Sequence, residues 1–236
     1  MMDNEAINRA RAVHYGLFAS LFIFFDDQSK FQELLKTVEV LKQNPLDSHT
    51  EAALSNMYTM LNEGGLEALK EENSILFFNP YASFIPITAS FYDEQRDDGK
   101  KRLEMVNYVL SSKFRRDTDK FKELEDHVGF ILLFMQKLIA DAMQGDKASQ
   151  DLSLEVFTHI LNGFIDEFIE NVYTHTNSQF YKEVAIVFQA FLEMERFFLG
   201  VAKPIKVEKR KIEALEKKQK KPLTQKAKRN LDEIVL

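Results

Sequence analysis

Within one run of five residues the chain places Glu123, Glu125, Asp126 and His127. Carboxylates beside an imidazole can ligate a metal, move protons or hold a basic ligand. Gly129, Phe130 and Phe134 follow directly, so the cluster would work next to aromatic surface. A helical di-iron centre needs two Glu-x-x-His pairs and two further Glu. Here Glu123/His127 and Glu155/His159 are four residues apart rather than three. That is the spacing of ordinary pairs on one helix face, which leaves a metal-dependent helical enzyme as the weaker alternative. There is no Gly-rich phosphate loop, nucleophile elbow or His-Glu-x-x-His. No catalytic residue, no metal site and no cofactor is expected.

The element that must position this cluster is a helix expected from Asp119 or Lys122 to Met143. Val128, Ile131, Leu132, Met135, Leu138, Ile139 and Ala142 form its apolar stripe. On such a helix Asp126 aligns with Gly129, Phe130 and Leu133, whereas His127 aligns with Phe130, Ile131 and Phe134. The two polar groups therefore face different ways, which weakens a joint acid–base role. Gly129 removes a side chain and lets another backbone approach. An acidic group, an imidazole and aromatic walls at a helix entrance suit a peptide with a basic head and an apolar body. Alternatively Glu123 and Asp126 favour the helix dipole and His127 bonds to a loop. Residue chemistry alone favours this second reading.

The rest of the chain reads as helices packed around that one. Helical spacing covers 4–25, with an apolar second half from Gly16 to Phe25, then 29–43 capped by Ser29. Ser48-His49-Thr50-Glu51 has capping-box spacing for a third helix that stops at Gly64-Gly65. A short piece follows at 66–71. Residues 73–86 hold two prolines, with Tyr81 and Phe84 among four aromatics. So apolar a loop must be buried or hold a ligand, and burial is the favoured reading. Short helices at 87–95 and 100–113 lead to Arg115-Arg116-Asp117-Thr118-Asp119, a charged break. Long helices at 152–173 and 176–201 complete the body, the last opened by a capping box at Thr176–Gln179. No strand is visible. The expected fold is all-α, a bundle of about ten helices, with a candidate hinge between two lobes near Arg115–Glu123.

Composition narrows the classes. There is no Cys among 236 residues, which excludes disulfides, thiolate metal sites and a Cys nucleophile. The acidic N-terminus lacks the basic region of a signal peptide, and the longest apolar run is too short to span a bilayer. A soluble cytoplasmic protein without membrane insertion is expected. Net charge is −6, unevenly placed: residues 1–202 carry 19 basic and 32 acidic side chains, and 203–236 carry 12 basic and 5 acidic. An acidic body favours basic partners. The basic segment 203–236 would be a solvated tail beyond a domain ending at 202. A nucleic-acid or ribosome-associated factor acting through this tail is the other alternative. It is disfavoured because the tail lacks aromatic residues for base stacking, so no nucleic acid is expected as partner.

At the opening cluster the sequence resembles the TorD-like redox-enzyme maturation chaperones. Their signature is Glu-Pro-x-Asp-His leading into an apolar helix. Glu123-Leu124-Glu125-Asp126-His127 matches it, with Leu124 in place of the family's Pro. Ala89-Ser90-Phe91-Tyr92, Gly99 and the helix from Leu103 to Phe114 look like the family's upstream Ser-x-Tyr, Gly and helix. The resemblance spans roughly 1–200. It implies an all-helical chaperone, not an enzyme. Such a chaperone binds the twin-arginine signal peptide and the apo form of a molybdenum-cofactor oxidoreductase until the cofactor is inserted. It also implies that Glu123, Glu125, Asp126, His127, Phe130 and Phe134 contact the signal, with Tyr81, Phe84, Ser90, Tyr92 and Gly129 supporting the groove. The family includes monomers and domain-swapped dimers, and a swap here would hinge near Arg115–Glu123.

Overall fold

The computed structural model describes residues 4–79, 83–119 and 121–205. Among them nine α-helices are present: α1 (Asn4–Phe22), α2 (Gln28–Lys42), α3 (Ser48–Phe77), α4 (Ala89–Glu94), α5 (Lys100–Ser111), α6 (Val128–Ala142), α7 (Lys147–Val156), α8 (Asn162–Thr174) and α9 (Phe180–Leu199). A π-helical turn at Phe157–Leu161 joins α7 to α8, so the two run as one helix. The all-helical expectation holds, and the one extended pairing described is an isolated antiparallel bridge between Thr88 and His127.

Residues 1–203 form one compact unit. The charged connection after α5 does not divide two cores, because α1 packs along α6 and α3 along α9. The reason lies in α1. Tyr15, Leu17, Phe18, Leu21 and Phe22 are buried around much of its circumference, and a helix apolar on several sides needs neighbours on several sides. Phe18 stacks on Phe188 of α9 at 4.1 Å, and Phe22 meets Phe168 of α8 edge-on at 5.0 Å. A buried ion pair locks the same helix, since Arg11 donates from Nε and Nη2 to both carboxylate oxygens of Glu195, each at 2.7 Å. Tyr15 adds a third bond to Glu195 at 2.9 Å. Such a pair contributes modestly when whole, but removing one partner strands a buried charge and costs about 3–5 kcal/mol.

Several helix ends differ from expectation because caps come from unexpected residues. Helix α2 is capped by Asp27 rather than Ser29, and the Asp27 carboxylate accepts the N–H of Ser29 and Lys30. Helix α1 ends at Phe22, short of Phe25. The capping box of α3 is Asp47 with Thr50, not Ser48 with Glu51. Gly65 does not end α3. It takes φ 64° and kinks the helix, which resumes and continues to Phe77, so the expected 73–86 loop is helical over 73–77. Helix α7 begins at Lys147, earlier than the expected 152, because the Asp146 carboxylate accepts from Ala148 and Ser149. The expected Thr176–Gln179 box is absent. Glu72, on α3, instead accepts the N–H of Gln179, Phe180 and Tyr181 at 2.8–3.1 Å.

The largest correction concerns α6, which starts at Val128 and not near Asp119 or Lys122. Residues 126–128 spend their backbone groups on the 87–89 segment. Ala89 N–H donates to Asp126 O, and Val128 N–H donates to Ile87 O, both at 2.9 Å. With those groups spent on the pairing, and the His127 N–H closing a turn onto the Leu124 carbonyl at 3.1 Å, the stretch before Val128 stays outside the helix.

Candidate functional site

The polar cluster therefore sits on a connection and not on a helix face, and three of its members, Glu125, Asp126 and His127, are inside the protein. Asp126 is 0% exposed and His127 1%. Asp126 caps a helix distant in sequence: its Oδ2 accepts the Ser90 N–H at 2.9 Å in the first turn of α4, while its backbone oxygen takes that of Ala89. Thr88 at the N-cap of α4 makes no side-chain cap of its own. The other oxygen of Asp126, Oδ1, is buried without a hydrogen-bond partner among the described residues. His127 is the N-cap of α6, with Nδ1 accepting the Gly129 N–H at 3.1 Å. That bond requires Nδ1 to be unprotonated, and burial lowers the imidazole pKa to about 4.

A ring of hydrogen bonds ties the cluster to α4 and α5. From Asp126 it passes to Ser90, whose hydroxyl accepts the Arg102 N–H at 3.2 Å in the first turn of α5. Arg102 then returns through Nε to Glu125 at 2.9 Å and through Nη1 to Asp98 at 2.6 Å. Gly99 is part of this closure, because a Cβ there would lie 3.1 Å from the Ser90 Cβ. The resemblance between the Ser90, Gly99 and Asp126 motifs and the family pattern thus corresponds to one packed junction.

Glu125 is the acceptor at the centre. One carboxylate oxygen accepts from Arg102 Nε at 2.9 Å, and the other forms an ion pair with Arg116 Nε at 3.1 Å. Arg116 also donates from Nη1 to the carbonyl oxygen of Glu123. The Glu123 side chain itself is exposed. The acidic cluster is therefore not an open cation trap, since two internal guanidiniums already fill it. Arg102 and Arg116 were missed from sequence. The signal that could have found them is the acidic cluster itself, because buried carboxylates need partners.

Aromatic rings line the same place. Phe130 and Phe134, one turn apart on α6, stack with centroids 6.4 Å apart. The connection lays further rings on them, Phe114 edge-on to Phe134 at 6.2 Å and Phe121 tilted on Phe130 at 5.3 Å. Phe121 also meets His127 edge-on at 5.8 Å. As a result Phe130 and Phe134 are buried.

The supporting residues divide. Gly129 does admit another backbone, that of α1, since a Cβ would stand 2.6 Å from Ile23 Cγ1 and 3.1 Å from Phe22 C. It serves the α1–α6 crossing. Tyr92 donates its hydroxyl to the Pro86 carbonyl at 2.8 Å and packs its ring on Phe164, so it fixes the extended loop ahead of α4. Phe84 is 53% exposed, four residues before the bridge at Thr88. Tyr81 lies outside the described residues. A separate groove of about 440 Å³, lined by Gly16, Ser20, Ile23, Thr37, Leu133 and Gln136, opens between α1, α2 and α6. Among the described residues no group of three His, Asp or Glu stands ready to hold a metal, and no helix is long and apolar enough to cross a membrane.

Two comparisons bear on this junction. A crystal structure assigned as a redox enzyme maturation protein from Archaeoglobus fulgidus superposes with a TM-score of 0.55 at 22% identity, covering 77% of this chain and 93% of that one. At that identity the likeness speaks for the fold. The model of the nitrate reductase delta subunit family matches residues 43–170, more than half the chain, and spans α4, α5, the connection and the whole Glu123–Phe134 stretch. The chain therefore belongs to the nitrate reductase delta subunit family, whose members are TorD-like redox-enzyme maturation chaperones.

Proposed function

We propose that this chaperone recognises the twin-arginine signal of a molybdenum-cofactor oxidoreductase and holds the apoenzyme until its cofactor is in place. The supporting observation is the coordination of Glu125. A nearly buried carboxylate that accepts from Arg102 Nε and is ion-paired with Arg116 Nε is a site shaped for arginine. The exposed Glu123 carboxylate stands two residues away, and Phe130 and Phe134 lie beside it. In this reading Glu123 and Glu125 meet the arginines of the client. Phe130, Phe134 and the half-exposed Phe84 take the apolar part of the signal. Asp126 and His127 contribute by holding α4 and α6 against the connection, and Ser90, Tyr92 and Gly129 brace that arrangement. No bond is made or broken by the protein.

Calorimetric titration of a twin-arginine peptide, against the same peptide with both arginines changed to lysine, tests the reading. Wild type is expected to prefer the arginine form. Glu123→Gln/Glu125→Gln is expected to lose that preference, by about tenfold or more if one charge-assisted pair is removed. Failure of the wild type to bind, or an undiminished preference in the double variant, would discard this site.

A further inference from the structure

We propose that Arg116 is an internal stand-in for a client arginine, so the resting protein carries its own connection in the place where the client docks. This rests on the preceding reading that the Glu123–Glu125 stretch holds a guanidinium. Arg116 engages a carboxylate oxygen of Glu125 through Nε at 3.1 Å and the backbone oxygen of Glu123 through Nη1. An incoming arginine would use the same acceptors. Phe114, two residues before it, covers Phe134, and Phe121, five residues after it, covers Phe130 and touches His127. A basic head flanked by apolar groups is thus already seated on the site.

The neighbouring arginines do different work, which singles Arg116 out. Arg115 turns back toward the end of α5, its Nη1 donating to the carbonyl oxygens of Val109 in the helix and of Ser112 and Phe114 just beyond it. It satisfies acceptors at a helix end. Arg102 belongs to α5 and is shared with Asp98, so it stays in place if the connection moves. Arg116 lies on the connection itself. Its release would free one oxygen of Glu125 while Arg102 keeps the other, which leaves room for one client guanidinium.

Self-occupancy has two physical consequences. It keeps a nearly buried carboxylate paired and two phenylalanines covered while no client is present, sparing the protein an unpaired charge and a sticky aromatic face. It also lowers apparent affinity by the fraction of molecules in which the site is open. A ligand that offers only a charge, or only an apolar stretch, replaces half of what it displaces, so the device favours ligands that carry both.

The test uses the full chain and a synthetic peptide with an Arg-Arg pair followed by an apolar stretch. Arg116→Gln is expected to bind it about tenfold more tightly than wild type, as the competing internal contact is removed. In wild type labelled with nitrogen-15 arginine, the Arg116 Nε–H resonance is expected to move to a solvent-exposed position as peptide saturates the protein. Equal or weaker binding by a folded Arg116→Gln, alongside binding by wild type, overturns self-occupancy and leaves the binding site standing. Binding by neither chain overturns both readings. If Arg116→Gln does not fold, the wild-type resonance decides alone, and a signal unmoved at saturation overturns the proposal.

Discussion

Acidification from about pH 7.5 to about pH 4.5 should weaken the native protein through His127, by an amount that follows from its surroundings. In the folded chain its pKa is lowered to about 4 from 6.5, and burial is the cause. Between those two values the unfolded chain binds the proton and the folded chain does not. Stability is therefore full above about pH 6.5, falls as pH drops through this window, and loses nothing further from this group below about pH 4. At about pH 4.5 the loss amounts to roughly 2.5 kcal/mol, since each tenfold difference in proton affinity between the two states is worth about 1.4 kcal/mol. Protonation also turns Nδ1 from acceptor to donor and so removes the cap on Gly129. His127→Asn keeps an acceptor suited to an N-cap but does not titrate. Urea unfolding of both proteins at matched pH values provides the measurement, and the carboxylates and the buried His14 cancel in the difference. The variant should start below wild type at neutral pH, because it loses the ring contact with Phe121, and should lose less on acidification by about 2–3 kcal/mol. Two curves that stay parallel from about pH 7.5 to 4.5 would refute the reasoning about His127.

Two further outcomes follow from the packing. Gly129→Ala should destabilise by about 1–3 kcal/mol in denaturant unfolding, because the new Cβ meets Ile23 and the end of α1, backbone atoms included. Glu72→Ala should lower stability by about 1–2 kcal/mol through three stranded N–H groups at the start of α9. Glu72→Gln, which keeps an acceptor oxygen, should recover part of the loss.

Much of the fold was legible because helical period and apolar stripes are local properties. The stripe predicted for α6 is the one buried, from Val128 through Ile131, Leu132, Met135 and Leu138 to Ile139. Helix ends were less legible where a cap came from afar. Nothing near Gln179 announces that Glu72 caps α9, and nothing near Ala89 announces that Asp126 caps α4. The site was legible as a cluster of residue types but not in its wiring. Periodicity alone placed Glu123–His127 on a helix, whereas the pairing with 87–89 and the turn closed by His127 N–H on the Leu124 carbonyl hold the stretch outside α6.

The sequence by itself determined an all-helical core, the central place of α1 and α6, the need for a small residue at 129, and an acidic–imidazole cluster beside aromatic residues. These follow from side-chain type and short-range spacing. Only the tertiary structure decided what that cluster faces. It turned Asp126 and His127 inward as caps, gave Glu125 to Arg102 and Arg116, and laid Phe114 and Phe121 over α6. The physical reason is that a buried carboxylate or a helix end takes whichever partner the packing brings within about 3 Å, and that partner can lie anywhere in the chain.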